Sequence, residues 1–336
     1  MAKKKTGEEK DRKAGADGLD TIVERIHESY MRHEEMNNMD GALLPSKAVI
    51  REMAEDFMGM VFPGFYSKES VDRGNAEGYI RGKCLKFGRM LAEEIEKGVR
   101  YNCKVGRMNC ALDKCGNIAE LVARQVLESI PGIRDMAHAD VHAAFDADPA
   151  AQNIFEVVLS YPGIEALTIH RLAHLLYYLG VPFIPRMFSE YVHGKTGIDI
   201  NPGAKIGTGI SIDHGTGVVI GETAVLGNNV KIFQGVTLGA LSVSKENNRK
   251  RHPTIEDDVT IYSGTTILGG ETVVGKGSII GGNVWLVESV PPYSKIYIES
   301  PTLICKNCDA DFDCERDDGK GCSRLRIEKE KTPENR

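Results

Sequence analysis

Two histidines with charged neighbours stand out in this sequence. Asp213–His214 lies in ISIDHGTGVVIGETAVLG, residues 210–227, and Arg251–His252 lies in RHPTI, residues 251–255. An imidazole titrates near neutral pH, so a positioned histidine can take a proton from a reacting group. A guanidinium can bind a carboxylate through two parallel hydrogen bonds. Two other sets could hold metal. His170 and His174 are four apart in GIEALTIHRLAHLLYYLG, although one packing contact and one polar contact at a helix surface is the preferred reading. Cys305, Cys308, Cys314 and Cys322 are spaced C-x2-C-x5-C-x7-C, and four thiolates can enclose zinc or an iron–sulfur cluster. A single CxxC with irregular partners is a weaker pattern than two such pairs, so free reduced thiols are expected there.

The elements that must position these residues change character along the chain. Residues 1–19 are charged and lack apolar periodicity, which fits a disordered start. Residues 20–195 read as a helical domain. NIAELVARQVLESI places apolar residues on one helical face and should stop at Pro131 and Gly132. GIEALTIHRLAHLLYYLG forms a second helix, closed by Gly180 and Pro182. From 196 to 300 glycine and β-branched residues dominate. Aliphatic residues return in steps of six at Ile200, Ile206 and Ile212, then Ile220, Leu226, Ile232 and Leu238. The steps resume at Ile255, Ile261 and Ile267, and again at Val274, Ile280 and Leu286. A helix repeats at 3.6 residues and a strand at 2, so neither explains this spacing. A parallel β-helix does, with three six-residue faces per coil and the aliphatic residues stacked inward. Two breaks interrupt the register: two extra residues beside Asp213–His214, and the polar loop from Ala240 to Pro253. Each break carries a histidine. Residues 301–336 are a charged, cysteine-rich tail.

Composition narrows the function. The 336 residues are 41% hydrophobic and 27% charged, with net charge −6, which supports a real core and gives no basic field for nucleic acid or anionic lipid. The first residues carry no apolar signal segment and no run is long enough to span a membrane. A cytoplasmic protein is therefore expected, with its eight cysteines reduced.

From about Ile130 to Tyr297 the chain resembles the serine O-acetyltransferases of the hexapeptide acyltransferase superfamily. The resemblance rests on DPAA at Asp148, TGIDINPGAKIG at Thr196, IDHGTGVVIGETAV at Ile212, QGVTLG at Gln234 and RHPTI at Arg251, all in the family's order. It departs at Asn201, where many members have histidine, and at Tyr262-Ser263-Gly264, where Gly-Ala-Gly is usual. The resemblance implies an α+β protein, an N-terminal helical domain followed by a left-handed parallel β-helix, assembled as a homotrimer or a dimer of trimers. It implies acetyl transfer from acetyl-CoA to the hydroxyl of L-serine, giving O-acetyl-L-serine and CoA for cysteine biosynthesis. His214 is then the base, with Asp199 on its other ring nitrogen and His252 against the hydroxyl. Asp148 and Asp213 take the substrate ammonium and Arg251 its carboxylate. Acetyl-CoA lies near Gly239, Ala240 and Ser263, no metal is needed for catalysis, and L-cysteine is a feedback inhibitor. Members that dock into O-acetylserine sulfhydrylase end in isoleucine; Arg336 stands last here, so that partnership is not expected.

Two other functions fit the repeat alone. Another acetyl-CoA-dependent O-acetyltransferase could use the same β-helix, but the paired acids and Arg251 favour an amino-acid acceptor. A γ-type carbonic anhydrase needs three histidines around zinc, whereas this β-helix offers only His214 and His252.

Overall fold

A computed structural model describes residues 5–39, 41, 43–67, 69–108, 114–241, 250–299, 303–306 and 325–328, with side chains described only between residues 18 and 299. Its helices are α1 (Lys5–Arg32), α2 (Lys47–Val61), α3 (Ala76–Lys104), α4 (Cys115–Ala147), α5 (Ile154–Ser160), α6 (Pro162–Tyr178) and α7 (Ile184–Thr196). Helix α1 covers most of the stretch expected to be disordered. That stretch is rich in Lys and Ala, both good helix formers, and contains no proline.

Helix α4 also departs from expectation, because it runs straight through Pro131. An interior proline costs about 3 kcal/mol through its missing N–H and its ring clash. Burial on both sides offsets this: Val122, Val126 and Ile130 precede the proline, and Ile133, Ala137 and Val141 follow it into the core. Helix α6 ends as the sequence suggests, with Gly180 at φ 73° just beyond it. The preferred reading of its histidines also holds. His170 is buried, and His174 Nδ1 lies 2.8 Å from the Pro202 carbonyl oxygen.

Beyond α7 the chain coils into three parallel sheets. The first face stacks strands Asp199–Ile200, Val219–Ile220, Thr237–Gly239, Thr266–Leu268 and Trp285–Leu286. The second stacks Lys205–Ile206, Val225–Leu226, Thr254–Ile255 and Val273–Val274. The third stacks Ser211–Asp213, Lys231–Phe233, Thr260–Ile261, Ile279–Ile280 and Lys295–Ile296. The six-residue aliphatic positions are the ones that pair across coils, as in Ile200↔Ile220, Leu226↔Ile255 and Ile232↔Ile261. Most of them are fully buried, and each such side chain contributes roughly 1.5–3 kcal/mol. The coil register is the same on both sides of residues 242–249, since Thr237 pairs with Val219 before them and Thr254 with Val225 after them.

The helical part is fastened to the first coil by a buried ion pair. Arg171 donates from Nε to Asp140 Oδ2 at 3.1 Å and from Nη2 to the Gly207 carbonyl at 3.0 Å. Asp140 Oδ1 accepts the Ile210 N–H at 2.9 Å. Burial pushes the Asp140 carboxyl above its ordinary value even beside Arg171. Gly163 of α6 lies so close to the first coil that a Cβ there would sit 2.5 Å from the Ile212 carbonyl oxygen.

Cys103 is disulfide-bonded, and Cys115 Sγ lies 3.9 Å from its sulfur. At Cys103 the structure differs from the expectation that every cysteine stays reduced. Among the tail cysteines, Cys305 lies on strand Leu303–Lys306, which pairs with Leu325–Glu328. Its side chain, with Cys308, Cys314 and Cys322, lies outside the described residues. Among the described residues, no helix is long and apolar enough to cross a membrane.

Candidate active site

His214 sits where the chain turns from the third face onto the first. The two extra residues of this turn let it leave the solenoid surface. Its backbone takes φ 57°, in the left-handed region, and its side chain is 71% exposed. Its Nε2 lies 3.7 Å from Asp213 Oδ2. The end of α4 brings a second carboxylate to this corner, because Asp148 is the residue that caps it. The Ala150 N–H donates to Asp148 Oδ1 at 2.8 Å and the Tyr161 hydroxyl donates to Oδ2. The Tyr161 bond, then the Ala150 N–H, hold the Asp148 carboxyl below its ordinary value, and nearby His214 adds to the effect. The same bond pushes the Tyr161 phenol up to about 12. An exposed imidazole with two fixed carboxylates can bind a cationic group and take a proton beside it.

Arg251 and His252 occupy a different corner, between the first and second faces. Thr223, one coil away, organises both. Its hydroxyl accepts the Arg251 N–H at 2.8 Å and the His252 N–H at 3.1 Å. Its own N–H donates to His252 Nδ1 at 3.1 Å, and its Oγ1 lies 2.8 Å from that nitrogen. With Nδ1 accepting, the neutral ring carries its proton on Nε2. Burial, then the Arg251 charge, lower the His252 pKa, so the ring is neutral at neutral pH. Its edge lies over Gly221, where a Cβ would meet Cδ2 at 1.9 Å and Nε2 at 2.1 Å. Arg251 Nη2 donates to Glu222 Oε2 at 2.8 Å, and the Tyr177 hydroxyl donates to Glu222 Oε1 at 3.0 Å. A cavity of about 290 Å³ opens beside them, lined by Tyr177, Glu222, Thr223 and Lys250.

The two corners are separated on one chain by the first face. Residues 218–221 span it, on the order of 13 Å at ~3.3 Å per extended residue. The carboxylates and His214 thus lie at one edge, and Arg251 and His252 at the other. The residues expected to meet acetyl-CoA divide in the same way. Ser263 turns at the His214 corner, two coils along, while Gly239 ends a strand of the first face and Ala240 follows it at the other edge.

The structure does not bring Asp199 onto His214, and no hydrogen bond joins them. Asp199 faces α7, with Oδ1 3.8 Å from Arg186 Nη1 and a ligand atom within 4.8 Å of both Glu190 and His193. That Oδ1 is buried and has no hydrogen-bond partner. Asn201 makes a local turn instead of reaching a site, accepting the Gly203 N–H at 3.0 Å through Oδ1.

Gly221, Glu222, Thr223 and Tyr161 carry no functional signal in the sequence. The first three read as an ordinary small and polar corner of the repeat, so only their contact with the Arg251–His252 turn reveals their part. Tyr161 had no signal beyond its nearness in sequence to Asp148.

Comparison with known proteins converges on one family. Residues 115–169 match the family described as "Serine acetyltransferase, N-terminal". A plasmid serine acetyltransferase of Synechococcus elongatus is 39% identical over 289 residues, covering 83% of this chain and 90% of the relative. The Bacillus subtilis serine acetyltransferase is 48% identical over 161 residues, covering 48% of this chain and 72% of the relative. The crystal structure of Entamoeba histolytica serine acetyltransferase 1 in complex with L-cysteine superposes with a TM-score of 0.63 and 31% identity, covering 76% of this chain and 88% of that one.

Proposed function

We propose a catalytic arrangement for this chain on the premise that it belongs to the serine acetyltransferase family and is a serine O-acetyltransferase. The supporting observation is the separation of charge between the two corners. L-Serine carries an ammonium and a carboxylate only a few ångströms apart. Asp148 and Asp213 suit the first and Arg251 the second, yet on one chain they lie at opposite edges of a face. A complete site therefore needs two chains, the His214 edge of one against the His252 edge of its neighbour. Such unlike contacts close into a ring when the rotation permits, and a triangular prism gives a homotrimer.

In this site His214 takes the proton as serine Oγ attacks the thioester carbon of acetyl-CoA. The tetrahedral centre collapses, the C–S bond breaks, and the His214 imidazolium returns the proton to the CoA sulfur. His252 donates its fixed Nε2–H to the reacting oxygen. The buried Oδ1 of Asp199, which lies 3.8 Å from Arg186 Nη1 and takes no hydrogen bond, is the acceptor for His214 Nδ1–H once the exposed ring turns inward. Backbone N–H groups near Gly239, Ala240 and Ser263 face the acyl group. L-Cysteine, with the same ammonium and carboxylate as serine, competes for the same contacts.

Mixing tests the shared site. His214→Ala and His252→Ala proteins, each inactive, are unfolded together in equal amounts and refolded. Each interface draws either edge at random, so one combination in four is intact and activity returns to about a quarter of wild type. With subunit exchange confirmed by tagged chains, activity no higher than the sum of the two mutants excludes a site between chains.

A further inference from the structure

Helix α4 carries a histidine pair that neither corner uses. His138 and His142 are four apart, so they share one helical face. Their Nε2 atoms lie 3.1 Å apart, with ring centroids at 4.4 Å. His138 is exposed and His142 half-buried, while Asp140 between them turns the other way into the Arg171 ion pair. Two exposed carboxylates, Asp135 and Asp146, lie about one turn to either side of the pair.

We propose that His138 and His142 chelate one borderline divalent cation per chain, such as zinc or nickel, with water completing its coordination. The geometry fits the ion closely. At metal–nitrogen distances of about 2.0–2.1 Å, two imidazole nitrogens lie roughly 2.9 Å apart at a right angle and roughly 3.3 Å apart at a tetrahedral angle. The observed 3.1 Å falls between these values. The helix backbone holds both rings on one face, so the second ligand adds little ordering cost after the first. In the metal-free pair one Nε2–H donates to the other Nε2. That ring moves its proton to Nδ1 through solvent, and both Nε2 lone pairs then face the ion. Imidazole selects zinc, nickel or copper over magnesium and calcium, which take oxygen ligands. The flanking carboxylates raise the local cation concentration without touching the ion.

The test uses the full chain, stripped of metal, and titrates it calorimetrically with Ni²⁺ at pH 7.5. His138→Ala, His142→Ala and the double variant are measured alongside, after melting curves without metal show that each is folded. Because the tail cysteines can also take metal, the readout is the difference between chains. Wild type should bind one more equivalent than the double variant, and each single variant should weaken that equivalent at least tenfold. A large excess of Mg²⁺ should leave it in place. Equal stoichiometry and affinity in wild type and the double variant overturns the proposal, as does displacement by Mg²⁺.

Discussion

Replacing Gly221 with alanine tests the His252 corner with a single methyl group. The Gly221 backbone is outside the left-handed region, so the substitution carries no conformational penalty of its own. Its effect is steric. The new Cβ would lie 1.9 Å from His252 Cδ2 and 2.1 Å from Nε2, whereas carbon contacts settle near 3.5–4.0 Å. The ring must therefore recede by about 1.5 Å. Its Nδ1 now accepts from Thr223 at 3.1 Å and 2.8 Å, and a shift of that size carries both contacts out of hydrogen-bond range. Misplacing a catalytic group by about 1 Å can cost on the order of 10²-fold. The expected result is a fall of that order in kcat/KM for L-serine, followed by the release of free CoA thiol. A double variant with His252→Ala distinguishes the cause. With the imidazole gone the methyl has room, so Gly221→Ala should add almost nothing to the loss from His252→Ala. A Gly221→Ala enzyme within twofold of wild type would refute the reasoning, and so would fully additive losses in the double variant.

Arg251→Lys should raise KM for L-serine more than it lowers kcat, because lysine keeps the charge but loses the planar fork that also holds Glu222; an unchanged KM places the carboxylate elsewhere. His170 gives a pH dependence of stability. Burial, then the charges of His174 and Arg171, push its pKa down to about 3 from an ordinary 6.5. The folded value is the lower one, so the unfolded chain takes the proton first, and stability present above about 6.5 is lost as pH falls toward 3. At ~1.36 kcal/mol per unit this removes about 2 kcal/mol between pH 7 and pH 5. Urea unfolding of His170→Gln at both pH values should lack that portion of the loss, and identical pH dependence in the two chains contradicts it.

Much of the solenoid was legible in the sequence, for a physical reason. Each coil needs an aliphatic residue facing inward at every sixth position, so Ile200, Ile206 and Ile212 begin a pattern that burial enforces through Ile280. The breaks in that pattern pointed to His214 and His252, since a solenoid leaves its register only where the chain turns outward. Local signals failed where packing outweighed them. Pro131 marks a helix end by propensity, but apolar residues on both sides of it enter one core and carry α4 onward to Asp148. The contact of the buried Asp199 carboxylate with Arg186 and the contacts of Gly221 and Thr223 with His252 were invisible for a different reason. Each depends on a neighbour from another coil or helix, twenty or more residues away in most cases, as with Thr223 against His252. Sequence determined which residues line the coils and which corners hold the candidate histidines. Only the tertiary structure decided which atoms meet, because the contacts between coils and helices follow from how the elements stack, and that stacking sets the acids and the arginine at opposite edges of one face.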